Sequence, residues 1–439
     1  MKANDRIEAA RRAVEQAKRF GADEAAATVS SGRDVQVSRR EGKIETLSEA
    51  SRNQLRIDIY IDKKYSSHVT SDLRPDALAK FVEEATAATK YLSKDEFRGL
   101  ADPKYYPTAL DKDLGLTDAA YDGLTSERRA LLAKDIEEAT LAQSDKFVSV
   151  TATYQDSFSE SATALSSGFE GERRSNSFTC GAEATVKDGD ERPSGWRFAT
   201  LRRFDELPKP EEIGKGTAAE ALGKIGQKKI STGEYDVIVE NRAMRRLLGA
   251  LLQPTFGYLL QQRRSFLEGK LGEKIASEKL TLIDDPFVPK GLGSRLFDDD
   301  ALAAKRRPVL EKGVLRTYFL DAYYARKLGM EPTSGSTSNI LFENGDRSLE
   351  AMVADLRRGL VITGFIGGNS NTTTGDFSFG VVGKYVENGE VVHPVNETNL
   401  SGNLSEFWSS VDEVGADPYP YSSYLSPSIR FADAKLSGA

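Results

Sequence analysis

Residues 359–408 have the sequence GLVITGFIGGNSNTTTGDFSFGVVGKYVENGEVVHPVNETNLSGNLSEFW, and their pattern decides the fold of the C-terminal half of the chain. An apolar run at 360–362 predicts a buried strand. Alternating apolar residues follow at Phe377, Phe379 and Val381, a pattern typical of a strand with one face in contact with solvent. The stretch therefore predicts two strands joined by a polar segment.

The next residues predict a hairpin. Asn388 and Gly389 suit its tight turn, because both central positions of such a turn need positive φ. Val391 and Val392 then continue as the partner strand. The glycine-rich segment 364–375 is predicted to be a loop at one end of this long antiparallel ribbon. No Lys-Ser or Lys-Thr pair follows its glycines, which excludes a P-loop, so we expect a loop that lines a cleft.

The composition limits the class of protein. The chain has 439 residues, enough for two or three domains, with 29% charged and 39% hydrophobic residues. A net charge of −7 argues against nucleic acid as a partner, since phosphate binding needs a basic surface. The single cysteine, Cys180, cannot form an internal disulfide, and the sequence has no apolar run of roughly 20 residues. Its first residues are charged and amphipathic and lack an apolar h-region, so we expect no signal peptide. We therefore expect a cytoplasmic protein that binds neither nucleic acid nor membranes.

Hydrophobic periodicity predicts an α+β protein in three units. We assign 1–115 to an N-terminal α+β domain, 116–230 to a middle region of helices and a strand meander, and 231–439 to a C-terminal domain rich in antiparallel β-sheet. Helices are predicted over 5–20, 74–91, 126–144, 208–226, 242–252, 322–328 and 348–358. Strands outside the ribbon are predicted over 24–30, 34–40, 54–61, 65–70, 146–154, 157–167, 175–187, 196–203, 235–240, 278–283, 307–310 and 314–320.

Two segments carry a resemblance to a known family. GDFSFGVVGKYVENGEVVHPVNE at 375–397, followed by LSGNL at 400–404, resembles the C-terminal signature of the TldD/PmbA family. FDDDALAAKRRPVLEKGVLRTYFLDAYYARKLGMEPTSGS at 297–336 resembles the central block of the same family. The segments occur in the order and at the spacing of that family, whereas the first 230 residues match it only in general layout.

The chain departs from the catalytic branch of this family. Its only histidines, His68 and His393, belong to no HExxH or HExxxH helix that could hold zinc. In the catalytic TldD branch, an HExxxH motif follows the strand that matches 235–240. The resemblance implies a position near 247–252 for that motif, where this chain has Leu-Leu-Gly-Ala-Leu-Leu. The TldD branch also uses a cysteine in the C-terminal tail, and residues 418–439 contain none. These differences imply the non-catalytic TldE/PmbA branch, with no catalytic residue and no metal ligand in this chain.

The resemblance implies a role in peptide hydrolysis by a complex. TldD and TldE form a heterodimer around a cavity, in which TldD holds zinc and unfolded or modified peptides enter by a narrow channel. The implied role of this chain is the partner subunit of such a metalloprotease, where it shapes the channel and cleaves nothing by itself. A homodimeric peptide-binding protein without catalysis is the alternative. An independent hydrolase is a third hypothesis, with no nucleophile–base pattern in its favour.

An extended peptide can bind by adding a strand to a sheet edge, which gives affinity without strict sequence demands. We predict this mode of contact for the ribbon and its glycine-rich segment. The candidate substrate-binding residues are Gly364, Gly367, Gly368, Asn369, Phe377 and Phe379.

Other polar residues have structural interpretations. Both histidines are expected to be structural, and a Cys180–His393 dyad has no support from spacing. Asp298, Asp299 and Asp300 lack the spacing of a calcium loop and are expected to form a solvated acidic turn. A cluster of arginines is either a solvated surface or a contact for carboxylates of a peptide or a partner. Its members are Arg242, Arg245, Arg246, Arg263 and Arg264.

Overall fold

A computed structural model describes residues 3–438 of the chain. The helices in this range are α1 (Ala3–Arg19), α2 (Pro75–Thr89), α3 (Ser126–Leu141), α4 (Pro210–Leu222), α5 (Met244–Leu252), α6 (Gly257–Gln261), α7 (Ala322–Leu328), α8 (Leu349–Ala354) and α9 (Leu404–Ser409). The strands are β1 (Glu24–Arg40), β2 (Lys43–Ile61), β3 (Lys64–Thr70), β4 (Phe147–Leu165), β5 (Glu170–Val186), β6 (Ser194–Leu201), β7 (Gly233–Val239), β8 (Leu282–Asp285), β9 (Arg307–Glu311), β10 (Val314–Leu315), β11 (Asn339–Phe342), β12 (Arg358–Ser370), β13 (Asp376–Glu387), β14 (Glu390–Asn403), β15 (Val411–Val414), β16 (Tyr424–Leu425) and β17 (Ile429–Ser437). Mostly antiparallel sheets with helices packed on them confirm the predicted α+β class. None of the helices in this range is long and apolar enough to span a lipid bilayer.

An antiparallel sheet in the order β3-β2-β1-β4-β5-β6 contains strands from both the predicted N-terminal and middle units. Helices α1 and α2 pack on β1 and β2 in one hydrophobic cluster. Helices α3 and α4 contribute to another cluster with β4 and β5. The division of the chain at residue 115 stays a prediction, and strands on either side of it share this sheet.

Strand β1 combines two strands that were predicted separately between residues 24 and 40. Val29 packs in the first hydrophobic cluster and Val37 in the second. Ser31 and Arg33 lie on the same face between them, since alternate residues share one face of a strand. Polar residues therefore interrupt the alternation of apolar side chains where β1 passes from one hydrophobic cluster to the other. Strand β4 likewise joins two predicted strands.

Strands of the C-terminal half form a closed barrel. Their order is β14-β13-β12-β7-β17, and Asn399 and Leu400 of β14 pair with β17 to complete the circle. Strands β12 and β7 run parallel, whereas the other neighbours are antiparallel. Phe379, Trp408 and Phe431 are buried in the associated core cluster. Each large side chain buried in this way stabilises the fold by about 1.5–3 kcal/mol.

The hairpin prediction is confirmed, whereas the loop prediction is partly wrong. Asn388 and Gly389 have φ of 53° and 80°, as the tight turn between β13 and β14 requires. The predicted loop over 364–375 is wrong for 364–370, which belong to β12, and only 371–375 connect β12 to β13. Pairing with β13 outweighs the low strand preference of glycine, because strand formation depends strongly on context.

A third sheet has the order β10-β9-β8-β11-β16 and packs into the same core as the barrel. Here several predicted boundaries are wrong. The strand predicted over 278–283 begins only at Leu282, and the one over 314–320 ends at Leu315. Beyond that point, the Phe319 amide donates to the carbonyl of Thr255 instead of to a strand neighbour. Strands β11 and β17 were not predicted.

Candidate functional site

A cavity of about 960 Å³ lies between the middle region and the barrel. Helix α4 and strand β6 form its wall on the side of the middle region. Helix α5 and strands β12 and β13 form the wall on the side of the barrel. The cavity is far larger than the others described between residues 3 and 438, and it contains four of the six predicted binding residues.

Helix α5 divides its side chains between the cavity and the core. Arg246, Gly249 and Ala250 line the cavity at spacings of three and four residues, which places them on one face. Leu247 and Leu248 are fully buried in the barrel core. The helix expected to carry HExxxH in the catalytic branch is therefore a cavity wall here. Its leucines face away from the cavity, and its lining positions hold Arg245, Arg246, Gly249 and Ala250.

Strand β12 presents an open edge to the cavity. Its residues Gly359–Ile362 pair with β7 on one side and with β13 on the other. In the described strand pairings, residues 364–370 pair only with β13. Gly367 and Gly368 form a bulge in this part of the strand, with φ of 59° and 78°. Among the described residues, no strand other than β13 pairs with the backbone of 364–370.

Arg246 connects α5 to this bulge. Its Nη2 donates a hydrogen bond of 2.8 Å to the carbonyl of Gly368 and a longer one of 3.4 Å to that of Gly367. The guanidinium lies 4.7 Å from the centre of the Phe379 ring, within the range of a cation–π contact. The arginine thus positions the bulge relative to the helix.

The structure separates the six predicted binding residues into two sets. Gly364, Gly367, Asn369 and Phe379 line the cavity. Phe377 does not, because its ring packs against Phe407 in the core. Gly368 also lies outside the lining, and a Cβ at that position would overlap the backbone of β13.

Residues of the middle region complete the cavity wall, and sequence reasoning missed them. Trp196 of β6 has 48% of its surface exposed, although tryptophan is usually well buried. Glu220 and Lys224 lie at the end of α4 and just beyond it. The exposed tryptophan follows no sequence pattern that distinguishes it from a core residue, so only the packing of the two units shows its position.

The five arginines of the predicted cluster differ in burial and in whether they line the cavity. Arg242 is nearly buried and pairs with Glu220 at 2.5 Å and with Glu240 at 3.3 Å. Arg245 and Arg246 are exposed on the cavity wall. The two remaining arginines of the cluster, at 263 and 264, lie on the surface outside the cavity. Burial lowers the pKa of Lys224, whose Nζ donates to the carbonyl of Ser194.

The histidines and the cysteine have structural surroundings. His68 Nε2 lies 2.9 Å from Ser66 Oγ, and His393 Nδ1 lies 2.9 Å from the carbonyl of Pro394. Cys180 is fully buried in the sheet of the N-terminal half, and this burial raises the pKa of its thiol to about 12. A neutral thiol is a weak nucleophile, so the cysteine adds no reactive group to the cavity.

The interpretation of the aspartate run as a solvated turn is wrong for Asp298 and Asp300. Asp298 is 5% exposed and accepts a hydrogen bond of 3.0 Å from the Asp300 amide. The Asp300 carboxylate accepts another from the Ala322 amide, and burial beside Asp298 raises the pKa of Asp300 to about 7. Only Asp299 is exposed, where it pairs with Arg173 at 2.9 Å. The aspartates therefore bind the middle region and α7 together.

Comparison with known proteins identifies the family. Two family models match the chain, described as the PmbA/TldA metallopeptidase central domain over residues 120–225 and the C-terminal domain over residues 232–438. A Haemophilus influenzae protein called metalloprotease PmbA homolog is 30% identical, over 97% of this chain and 94% of that protein. The chain belongs to the PmbA/TldD family. Its match to PmbA proteins is consistent with the TldE/PmbA branch.

Solved structures of other proteins have the same architecture as this PmbA/TldD family member. A Bacteroides thetaiotaomicron protein, described as a candidate modulator of DNA gyrase, matches with a TM-score of 0.97 and 36% identity over 100% of both chains. TldE from Thermococcus kodakarensis matches with a TM-score of 0.86 and 24% identity, over 98% of this chain and 100% of that chain. The latter likeness establishes a shared fold.

The names of PmbA/TldD relatives imply a metal, so we tested the cavity as a zinc site. The lining residues include no histidine and no cysteine. Glu220 is the carboxylate among them, and it is paired with Arg242. Between residues 3 and 438, no three His, Cys, Asp or Glu side chains lie close enough together to hold a metal ion. These residues do not fit zinc, and we assign no chemical step through zinc to this chain.

Proposed function

We propose that this chain is the non-catalytic subunit of a TldD/TldE-type metallopeptidase and forms part of the wall of its peptide channel. The observation that carries this proposal is the lining of α5. The helix that bears the HExxxH motif in the catalytic branch presents Arg246, Gly249 and Ala250 to a large cavity here. None of these side chains is a usual zinc ligand. In this proposal, zinc belongs to a TldD-type partner, and the heterodimer acts in the cytoplasm on unfolded or modified peptides such as leader segments.

The open edge of β12 supports contact with an extended peptide. Strand addition along 364–370 pairs backbone groups that have no strand partner, beside the carbonyls of Gly367 and Gly368 that Arg246 holds, and the neighbouring cavity accepts alternate side chains of the peptide. Such binding requires little of the peptide sequence, which suits a protease of unfolded segments. Gly364, Gly367 and Asn369 are the proposed contacts on the edge, and Phe379 lies beneath Arg246.

The first experiment measures metal content and cleavage together. The chain, a TldD-type subunit from the same organism and their mixture are each assayed with a quenched fluorescent peptide, and zinc is measured by mass spectrometry. We expect cleavage by the mixture and zinc in the TldD-type subunit. Stoichiometric zinc in this chain alone, with cleavage that a chelator abolishes, would falsify the proposal. Size-exclusion chromatography of the chain with and without the TldD-type subunit tests the alternative. A self-dimer that does not bind this subunit favours a homodimeric peptide-binding protein.

The second experiment tests the edge of β12. Replacement of Gly367 by asparagine adds a side chain where a Cβ meets nothing within 4 Å, and asparagine tolerates positive φ. We expect cleavage by the complex to fall while the chain stays folded. Gly42 is a matched control, since its φ is 72° and its Cβ is equally free, but it lies in the β1–β2 turn. Equal cleavage by the Gly367→Asn and Gly42→Asn complexes would remove this edge from the mechanism. Gly368 is unsuitable for the test, because a Cβ there disrupts the pairing of β12 with β13.

A further inference from the structure

The cavity carries cationic side chains that form no ion pair with a carboxylate of the described residues. Four cationic side chains line it, and Arg242 is neutralised by Glu220 and Glu240. The others are Lys224, Arg245 and Arg246. Between residues 3 and 438, no carboxylate forms an ion pair within 4 Å of these three groups. The cavity of an acidic chain, with net charge −7, is thus locally basic.

This arrangement differs from an ordinary solvated surface. Arg246 is held by two backbone carbonyls and the Phe379 ring, so little side-chain freedom remains to be lost on binding. Its fixed guanidinium has further N–H groups for an acceptor, and Arg245 is adjacent on the same wall. A planar guanidinium suits a carboxylate, which it can bind with two parallel hydrogen bonds.

Apolar groups surround the basic wall. Trp196 is 48% exposed and Ile366 is 55% exposed, and both line the cavity beside Phe365. Inorganic anions gain no binding free energy from contact with such apolar groups. A peptide with a carboxylate next to an apolar side chain matches both features, since an extended chain places successive side chains on opposite faces.

We propose that the cavity selects peptides by a carboxylate, which binds at Arg245 and Arg246 while an apolar neighbour packs on Trp196. This inference rests on the proposed peptide contact and names the substrate class. The carboxylate is either an acidic side chain or the C-terminal group of the peptide. Both have the same chemistry, and the peptides chosen for the test separate them.

The test is calorimetric titration of the full chain with three hexapeptides of otherwise equal sequence. The first peptide has an internal glutamate and an amidated C-terminus. The second, neutral peptide has glutamine instead of that glutamate and the same amidated C-terminus. The third has the glutamine and a free C-terminal carboxylate. We expect at least one acidic peptide to bind about tenfold more tightly than the neutral one, equivalent to about 1.4 kcal/mol. Iodide should quench only the fluorescence of Trp196, because Trp408 is fully buried. Weaker quenching in the presence of a peptide therefore places that peptide on Trp196.

Arg245→Gln removes charge from the wall without breaking a described contact, and Arg264→Gln makes the same change on the surface outside the cavity. The preference for acidic peptides should disappear in the first variant and persist in the second. Equal affinity for all three peptides, or an equal loss in both variants, overturns the carboxylate proposal, and so does the absence of any binding. Cleavage by the heterodimer is assayed separately with the neutral peptide. If the heterodimer cleaves it, the proposed subunit role survives even where the carboxylate preference fails.

Discussion

Replacement of Arg246 by methionine should loosen the bulge of β12 and leave the rest of the barrel intact. Methionine retains an unbranched stem over Phe379 but lacks the guanidinium that donates to the carbonyls of Gly367 and Gly368. The hydrogen bond of 2.8 Å to Gly368 contributes about 0.5–1.5 kcal/mol, and an exposed cation–π contact about 0.5–1 kcal/mol. Water replaces part of the lost bonding, so the local cost is about 1–2 kcal/mol.

Hydrogen–deuterium exchange measures this cost where it arises. A change of 1–2 kcal/mol in a local opening equilibrium accelerates amide exchange by about 5–30-fold. The acceleration should be confined to 364–370 and the facing part of β13, and exchange in β7 and β17 should not change. Arg245→Met is the matched control, because Arg245 is adjacent and exposed but makes no described contact with the bulge. Unchanged exchange over 364–370 in the Arg246 variant would refute the assignment of this arginine as a positioning residue.

Three further predictions concern stability and reactivity. Asp156→Ala leaves the Arg129 guanidinium buried without its partner at 2.5 Å, so urea unfolding should show a loss of about 3–5 kcal/mol for the N-terminal sheet; a loss under 1 kcal/mol would contradict this. Because burial raises the pKa of Cys180 to about 12, iodoacetamide at pH 8 should alkylate it only after unfolding; rapid labelling of the native chain would refute its burial. Burial and nearby carboxylates raise the pKa of Asp300 to about 7, so the stability it contributes is present below the ordinary aspartate pKa near 4 and is lost as pH rises to 7. Asp300→Asn keeps an acceptor for the Ala322 amide and should make stability less dependent on pH. Relative to the unmodified chain, its urea midpoint should therefore be higher at pH 8 than at pH 5. An unchanged pH profile would count against the raised pKa of Asp300.

Turn residues and hydrophobic alternation predicted the β13–β14 hairpin of the barrel, but they did not predict strand β17, which closes it. Asn388 and Gly389 specify a turn by their own backbone preferences, so the β13–β14 hairpin follows from the sequence alone. Strand β17 alternates at Ile429 and Phe431, and then the phase shifts at a bulge where Asp433 has φ of 51°. A bulge inserts one residue and interrupts the period of two, so the pattern no longer indicates a strand. Pairing with β7 and β14 determines its structure instead.

The cavity could be predicted only in part, since its walls belong to units far apart in sequence. The glycine-rich segment suggested a binding surface, and the arginine cluster that includes Arg242, Arg245 and Arg246 suggested either a solvated surface or a contact for carboxylates. Trp196 and Lys224 come from the middle region, about 50 and 20 residues before α5. Their approach to α5 depends on the packing of two units, and no local propensity or periodic pattern encodes that packing.

Packing constrains the two faces of α5 to different degrees. Leu247, Leu248 and Leu251 are 0–1% exposed, and their packing in the barrel core constrains residue size closely. Gly249 faces a cavity of about 960 Å³, and a Cβ added there meets nothing within 4 Å. Substitutions on the cavity face therefore change chemistry at little cost in stability, whereas substitutions on the core face do not have that freedom. The buried leucines hold the helix in position, so a change of side chain at Gly249 should leave that position unaffected.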